Sequence, residues 1–225
     1  MPVFHKHRVL YVHVPKTGGT SVMNFFGKTT SAYDKDSMIS MENRAKKDFG
    51  FAHSLQHTTM GEIEDMGLVQ DLVVEKGYRF IATVRDPFDR AMSEIMSRKM
   101  VPKNVMESGD TKKMYDTILG AFGRLSDLVK KNPNANDNHL VSQWDFLKSN
   151  KTGKIPENLE IIRTETLTED MRKLGYPRFN LHRNASGPSS STKYDNLRHG
   201  KLLEMVEEMY PEDFRLFGKI SVDTK

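Results

Sequence analysis

Short apolar runs alternate along this chain with longer stretches in which apolar residues recur at helical spacing. Four runs predict strands, at about Val9–Val14, Phe49–Ala52, Arg79–Val84 and Leu159–Arg163. Residues 20–27 predict a helix that follows a glycine turn. Glu62–Lys76 predicts another, with Ile63, Met66, Leu68, Leu72 and Val73 as its apolar positions. Residues 88–100 follow Asp86-Pro87, a helix opening with proline near the first helical position. Further helices are expected over 112–131, Leu140–Lys148, Thr168–Leu174 and Lys201–Tyr210. Thr166-Leu167-Thr168-Glu169 reads as a capping box and Gly175 as a C-terminal cap. Residues 101–111 and 176–200 follow neither period. The second of these is a long polar loop, read either as a functional lid or as a disordered segment.

Strands alternating with helices predict an α/β fold, with a mostly parallel central sheet flanked by helices. At 225 residues the chain fits one domain spanning 1–225. Sheets of this kind bind ligands beyond the C-terminal ends of their strands. Those ends carry Pro15-Lys16-Thr17, then His53, then Arg85-Asp86, then Arg163-Thr164-Glu165. Polar groups thus converge where the fold class predicts a crevice.

Composition narrows the classes. A content of 37% hydrophobic and 28% charged residues describes a soluble protein, and no apolar run approaches the roughly 20 residues that cross a bilayer. Zero cysteines exclude disulfides, thiolate metal sites and cysteine nucleophiles. The N-terminal segment lacks the apolar core of a secretory signal, so a cytoplasmic enzyme with no membrane partner is expected. A net charge of +4 suits an anionic ligand but is too dispersed for nucleic acid.

The segment Pro15-Lys16-Thr17-Gly18-Gly19-Thr20-Ser21 leads from the first expected strand into the first helix. Unpaired N–H groups and aligned peptide dipoles at a helix start favour an anion. Gly18 and Gly19 allow close backbone approach, and Lys16 adds a mobile positive charge. A second segment, Val84-Arg85-Asp86-Pro87-Phe88-Asp89-Arg90-Ala91-Met92-Ser93, leaves another buried strand with an arginine. Guanidinium suits bidentate phosphate recognition, and Ser93 stands two turns into the following helix. Read alone, Arg85 equally suits a pair with Asp86 or Asp89. Arg90 either adds to the phosphate field or pairs with Asp86.

Taken together, strand–PKTGGTS–helix followed by strand–RDPFDRAMS–helix resembles the sulfotransferases that use 3′-phosphoadenosine 5′-phosphosulfate (PAPS). The likeness is greatest to the carbohydrate-type group that contains the heparan sulfate 2-O- and chondroitin sulfotransferases. Weaker echoes run through Gln143–Leu147, Ile161–Leu167, Arg183–Ser186 and Tyr210–Gly218. One departure is Ile95, where many members carry an aromatic residue. The resemblance implies a P-loop-like, PAPS-binding architecture. Lys16, Thr17, Gly18, Gly19, Thr20 and Ser21 would hold the 5′-phosphosulfate, and Arg85 and Ser93 the 3′-phosphate. It implies a hydroxyl acceptor, on a carbohydrate, with PAP as product and no metal required.

Sulfuryl transfer needs an in-line attack, a positive group at the bridging oxygen and a base for the acceptor proton. Lys16 is the expected group at the bridging oxygen. His53, at the end of the second expected strand, is the expected catalytic base, with His57 and then Glu165 as alternatives. His5, His7 and His13 read as packing or surface residues. Trp144 suits adenine stacking or the core. Two other functions compete. A P-loop kinase or NTPase would need its lysine after the glycines, whereas Lys16 precedes them. A non-catalytic nucleotide- or glycan-binding module would bind PAP without turnover.

Overall fold

The computed structural model describes residues 2–28, 53–180 and 194–223. At its centre lies a four-stranded sheet in the order β1 (Val3–Phe4), β2 (Val9–Val12), β3 (Arg79–Val84), β4 (Glu160–Arg163). The last three strands are parallel, with Val12 opposite Ala82 and Val84 opposite Arg163. β1 joins antiparallel to β2. It was not expected, because two residues are too few to show a period. The first expected strand stops at Val12 rather than Val14, since the Val14 amide turns back to the Val12 carbonyl at 3.2 Å. The strand expected at Phe49–Ala52 lies outside the described residues.

Parallel central strands are covered on both faces, so their sequences read as unbroken apolar runs. Alternation still sorts the side chains. Leu10, Val12, Phe80, Ala82 and Val84 pack with Met60, Ile63, Phe146 and Leu147 on one face. Val9, Tyr11 and Ile81 pack with Val22, Phe26, Leu167 and Met171 on the other.

The helices are α1 (Gly19–Lys28), α2 (Met60–Asp65), α3 (Pro87–Ser97), α4 (Lys103–Met106), α5 (Thr111–Lys131), α6 (Gln143–Leu147), α7 (Leu167–Lys173), α8 (Gly200–Met209) and α9 (Pro211–Asp223). α3, α5 and α8 enclose a second core around Phe88, Met92, Ile95, Ile118, Phe122, Leu202 and Val206. Ile95 is fully buried there, so the position needs an apolar side chain and not an aromatic one in particular.

Three helix expectations change. The one over Glu62–Lys76 breaks after Asp65, where Gly67 takes φ +73°, and a π-helical turn covers Val69–Glu75. The helix over Leu140–Lys148 shortens to α6 because the Ser142 hydroxyl caps it at the Asp145 amide. The capping box forms at Thr59–Glu62 and not at Thr166–Glu169, where Thr166 instead donates to Asp170 at 2.6 Å.

Candidate active site

β2 delivers the chain into the turn at 15–21 at the C-terminal edge of the sheet. Lys16 (φ +68°) and Gly18 (φ +80°) both lie in the left-handed region, which wraps the backbone before α1 begins at Gly19. A side chain cannot replace the hydrogen of Gly19. A Cβ there would stand 2.1 Å from the His13 ring and 2.9 Å from the Tyr11 hydroxyl.

A relay of buried hydroxyls anchors this turn from below. Thr17 donates to the Val14 carbonyl at 2.8 Å, its hydroxyl lies 2.7 Å from that of Thr83, and Thr83 lies 2.5 Å from Tyr11. One proton per hydroxyl fixes the direction: Tyr11 donates to Thr83, Thr83 to Thr17, and Thr17 to the backbone. The Thr17 side chain is therefore committed to the fold, and only its backbone amide is available to an anion. The Thr164 hydroxyl shares its proton between the Thr17 and Val84 carbonyls at 2.8 and 2.9 Å, which ties three strand ends together. Thr83→Val would leave the buried Tyr11 hydroxyl without its acceptor, while Thr17 keeps its bond to Val14, and is expected to cost about 1–3 kcal/mol of stability. Urea unfolding at an unchanged m-value checks this.

Arg85 leaves β3 held by its backbone. Its N–H donates to Gln143 Oε1 and its carbonyl accepts from Gln143 Nε2, both at 2.8 Å. Gln143 is itself held at the α6 start, where buried Asp213 accepts from the amides of Gln143 and Trp144 at 2.9 Å. The carboxylates that the sequence offered Arg85 have another partner. Arg198 donates to Asp86 at 2.6 Å and to Asp89 at 3.1 Å. Burial pushes the Asp89 carboxyl up to about 6, against the pull of Arg198. The buried Nε of Arg85 has no hydrogen-bond partner among the described residues. Ser93 is partly exposed on α3, and its hydroxyl has no hydrogen bond to a described side chain or loop.

Arg90 takes neither role considered for it. It is 3% exposed and donates to the carbonyls of Pro15, His139 and Val141 at 3.2, 3.1 and 2.8 Å. It clamps the phosphate turn to the loop before α6, because a buried guanidinium satisfies its donors with carbonyls that the loop leaves free. Lys16 is half buried, and desolvation lowers its pKa. Glu94 acts against that shift, while Arg85 and Arg98 add to it. The structure thus brings Lys16 and Arg85 into one field of charge.

Beside the turn runs a file of four rings. Tyr11 stacks on His13 at 5.5 Å between centroids, His13 meets His57 at 5.0 Å, and His57 meets His139 at 5.0 Å. The amide of Gln56 donates to His13 Nδ1 at 3.0 Å, and burial holds His13 neutral. His57 Nδ1 donates to Asp137 at 2.7 Å, and its Nε2 has no hydrogen bond among the described residues. Burial lowers the His57 pKa below its ordinary value, outweighing Asp137. His139 Nδ1 donates to Glu94 at 3.1 Å, and Glu94 is also paired with Arg98 at 2.5 Å.

Asp137 is held by the loop 132–141. Asn136, Asp137 and Asn138 all have φ between +55° and +64°. Asparagine and aspartate tolerate this region better than other side chains, which explains the run Asn-Pro-Asn-Ala-Asn-Asp-Asn. Asp137 accepts from the Ser54 amide and hydroxyl, and buried Asn138 donates to the His57 carbonyl at 3.0 Å. His53 sits differently. Its Nδ1 lies 2.9 Å from the Ser54 carbonyl and its Nε2 2.8 Å from Glu62. Both partners are acceptors, so both nitrogens carry protons. These bonds raise its pKa although burial opposes them.

Residues 1–219 match the model described as the sulfotransferase family. That span contains the turns at 15–21 and 85–93 and the whole ring file. The chain belongs to the sulfotransferase family. Searches of curated proteins and of solved structures returned no match. Among its described residues, this sulfotransferase has no helix long and apolar enough to cross a membrane. Sulfuryl transfer, not phosphoryl transfer with a Walker loop, is the chemistry to which membership assigns it.

Of the residues expected in the sulfotransferase site, Lys16, Thr17, Gly18 and Gly19 form one turn, with Thr20 and Ser21 in the first turn of α1. Glu165, the third base considered, accepts from the Asp86 amide at 3.0 Å. Trp144 packs against the sheet core. Arg183, Ser186 and Lys193, on the polar loop read as a lid over the nucleotide or as a disordered segment, lie outside the described residues. Sequence reasoning missed His13, Asp137 and His139. His13 stands where β2 ends, a signal that was available. Asp137 and His139 gave no local sign beyond an asparagine-rich turn.

Proposed function

We propose that this sulfotransferase moves the sulfuryl group of PAPS to a hydroxyl of a carbohydrate acceptor, with His57 taking the acceptor proton. The observation that carries the donor assignment is the state of Arg85. Arg198 is hydrogen-bonded to Asp86 and Asp89, and Arg85, clamped by its backbone within the field of Asp89 and Glu165, keeps a buried Nε with no hydrogen-bond partner among the described residues. Such a group calls for an anion, and it stands one strand away from a second anion cradle at Lys16–Ser21. Two cradles on adjacent strand ends suit a nucleotide phosphorylated at both its 3′ and 5′ positions. The resemblance of the two segments to the carbohydrate-type sulfotransferases supports the sugar acceptor.

The donor supplies an activated sulfuryl group, and the chain supplies position and charge. The amides at the start of α1 and the left-handed turn at Gly18 face the 5′-phosphate. Lys16 reaches the bridging oxygen, where negative charge grows as the bond to sulfur breaks. Arg85 and Ser93 hold the 3′-phosphate. The acceptor hydroxyl attacks sulfur in line and gives its proton to His57 Nε2, while Asp137 holds the ring and stabilises the imidazolium. His53, the base expected from sequence, has both nitrogens spent on Glu62 and Ser54. His57 keeps a lone pair.

Arg85→Ala is expected to weaken PAP binding by about 10- to 150-fold, since a charge-assisted hydrogen bond contributes about 1.5–3 kcal/mol. Calorimetric titration with PAP checks it, and unchanged affinity would remove Arg85 from the site. Radiolabelled PAPS offered to sugar, phenol and amine acceptors tests the function itself. Label appearing on sugars supports the reading. Label on phenols or amines alone overturns the acceptor class, and PAP binding with no transfer favours a binding module.

A further inference from the structure

His57, Asp137 and His139 each bring one ligand atom within 4.8 Å of the other two. Two imidazoles and a carboxylate are a donor set for zinc and its neighbours, and three protein ligands with an open fourth position is a familiar zinc arrangement. The supporting shell is also present. Glu94 accepts from His139 Nδ1, which turns that ring's other nitrogen outward in the carboxylate–histidine manner of metal sites. Ser54 holds both oxygens of Asp137 through its amide and hydroxyl. The left-handed turn at 136–138 fixes Asp137 and brings His139 beside His57. Shifts of about an ångström in each ligand atom would bring the three to the roughly 2.0–2.2 Å bonds that zinc takes.

We propose that His57, Asp137 and His139 form a binding site for a divalent transition-metal ion such as zinc, and that its occupation switches sulfuryl transfer off. The inhibitory half rests on the assignment of His57 as base; the binding half does not. A neutral imidazole has one basic lone pair. If zinc takes Nε2, that lone pair is gone. If zinc replaces the proton between Nδ1 and Asp137, the displaced proton moves to Nε2. In either case His57 has nothing left to accept a proton from the acceptor. Zinc and the acceptor proton therefore compete for one electron pair.

The test uses the chelator-treated full-length protein, zinc ion alone by calorimetry and cobalt ion alone by visible absorption. One ion per chain is expected. His139→Gln retains a donor for Glu94 but lacks an imidazole lone pair, and it should weaken zinc binding at least about tenfold, as loss of a supporting or ligating group does. Its metal-free transfer from PAPS should stay within about threefold of wild type, and added zinc should no longer inhibit it. Should His139→Gln fail to fold, Asp137→Asn, which keeps the shape and loses the charge, tests the binding half alone: its zinc affinity should fall at least about tenfold, and its transfer is not used because Asp137 holds the His57 ring. His199→Gln, at an exposed histidine outside the cluster, should bind zinc as wild type does. Absence of binding, or equal binding by His139→Gln, overturns the site. Zinc bound at one per chain with transfer undiminished overturns the switch. If His57→Ala abolishes zinc binding yet transfers normally without metal, the base assignment fails and the site stands. Loss of transfer in His57→Ala with no zinc binding in wild type gives the converse.

Discussion

Replacing His57 with alanine is expected to lower kcat by about 10²–10⁴-fold, the usual contribution of a positioned general base, while PAP affinity stays unchanged. His57 is separated from Gly19 of the phosphate turn by the His13 ring, so its removal takes away a proton acceptor without touching the donor cradle. The pH profile gives an independent check. A base must be neutral to act, so activity rises with pH through the base's pKa. Burial holds His57 below its ordinary value of 6.5, so the acid limb of kcat/KM should have its midpoint below that value. The bonds of His53 to Glu62 and Ser54 raise its pKa, so a His53 base would shift the midpoint above 6.5. A midpoint above 6.5 together with a small effect of His57→Ala would return the role to His53.

Lys16→Met should lower kcat by about 10²–10³-fold, the loss typical of removing one donor from a site of developing negative charge. Methionine keeps much of the stem, so the turn at φ +68° is retained while the ammonium is lost. The KM for PAPS should change far less, because the bridging oxygen gains its charge only as the bond breaks. Equal changes in kcat and KM would make Lys16 a binding residue alone. Lys16 must stay protonated to act. Desolvation, with Arg85 and Arg98 nearby, lowers its pKa. Activity should therefore fall on the alkaline side at a lower pH than an ordinary lysine would give, and Lys16→Met should flatten that limb.

The two cradles were legible because each is a local object. A strand that empties into a glycine turn and a helix start needs only consecutive residues, so Lys16–Ser21 and Arg85–Ser93 could be read as anion sites before any packing was known. Alternation of strands and helices led to the parallel order, and the shared direction of β2, β3 and β4 then put their polar ends on one edge. Helix limits were less legible. Gly67 breaks a stripe that otherwise continues through Lys76, and the apolar pattern has no term for a left-handed turn.

By itself the sequence determined the α/β plan and the strand-to-helix turns at 15–21 and 85–93, because hydrophobic period, glycine and helix capping act over a few residues. It left open which acid neutralises which base. Arg198 reaches Asp86 across 112 positions, and Asp137 reaches His57 across 80. Arg90 reaches Pro15 across 75. Only tertiary packing decided these pairs, since a charged side chain takes whichever partner docking brings within hydrogen-bond reach while excluding water. That packing left the Arg85 Nε without a hydrogen-bond partner among the described residues, gave both nitrogens of His53 to acceptors and left His57 Nε2 without a hydrogen bond among them.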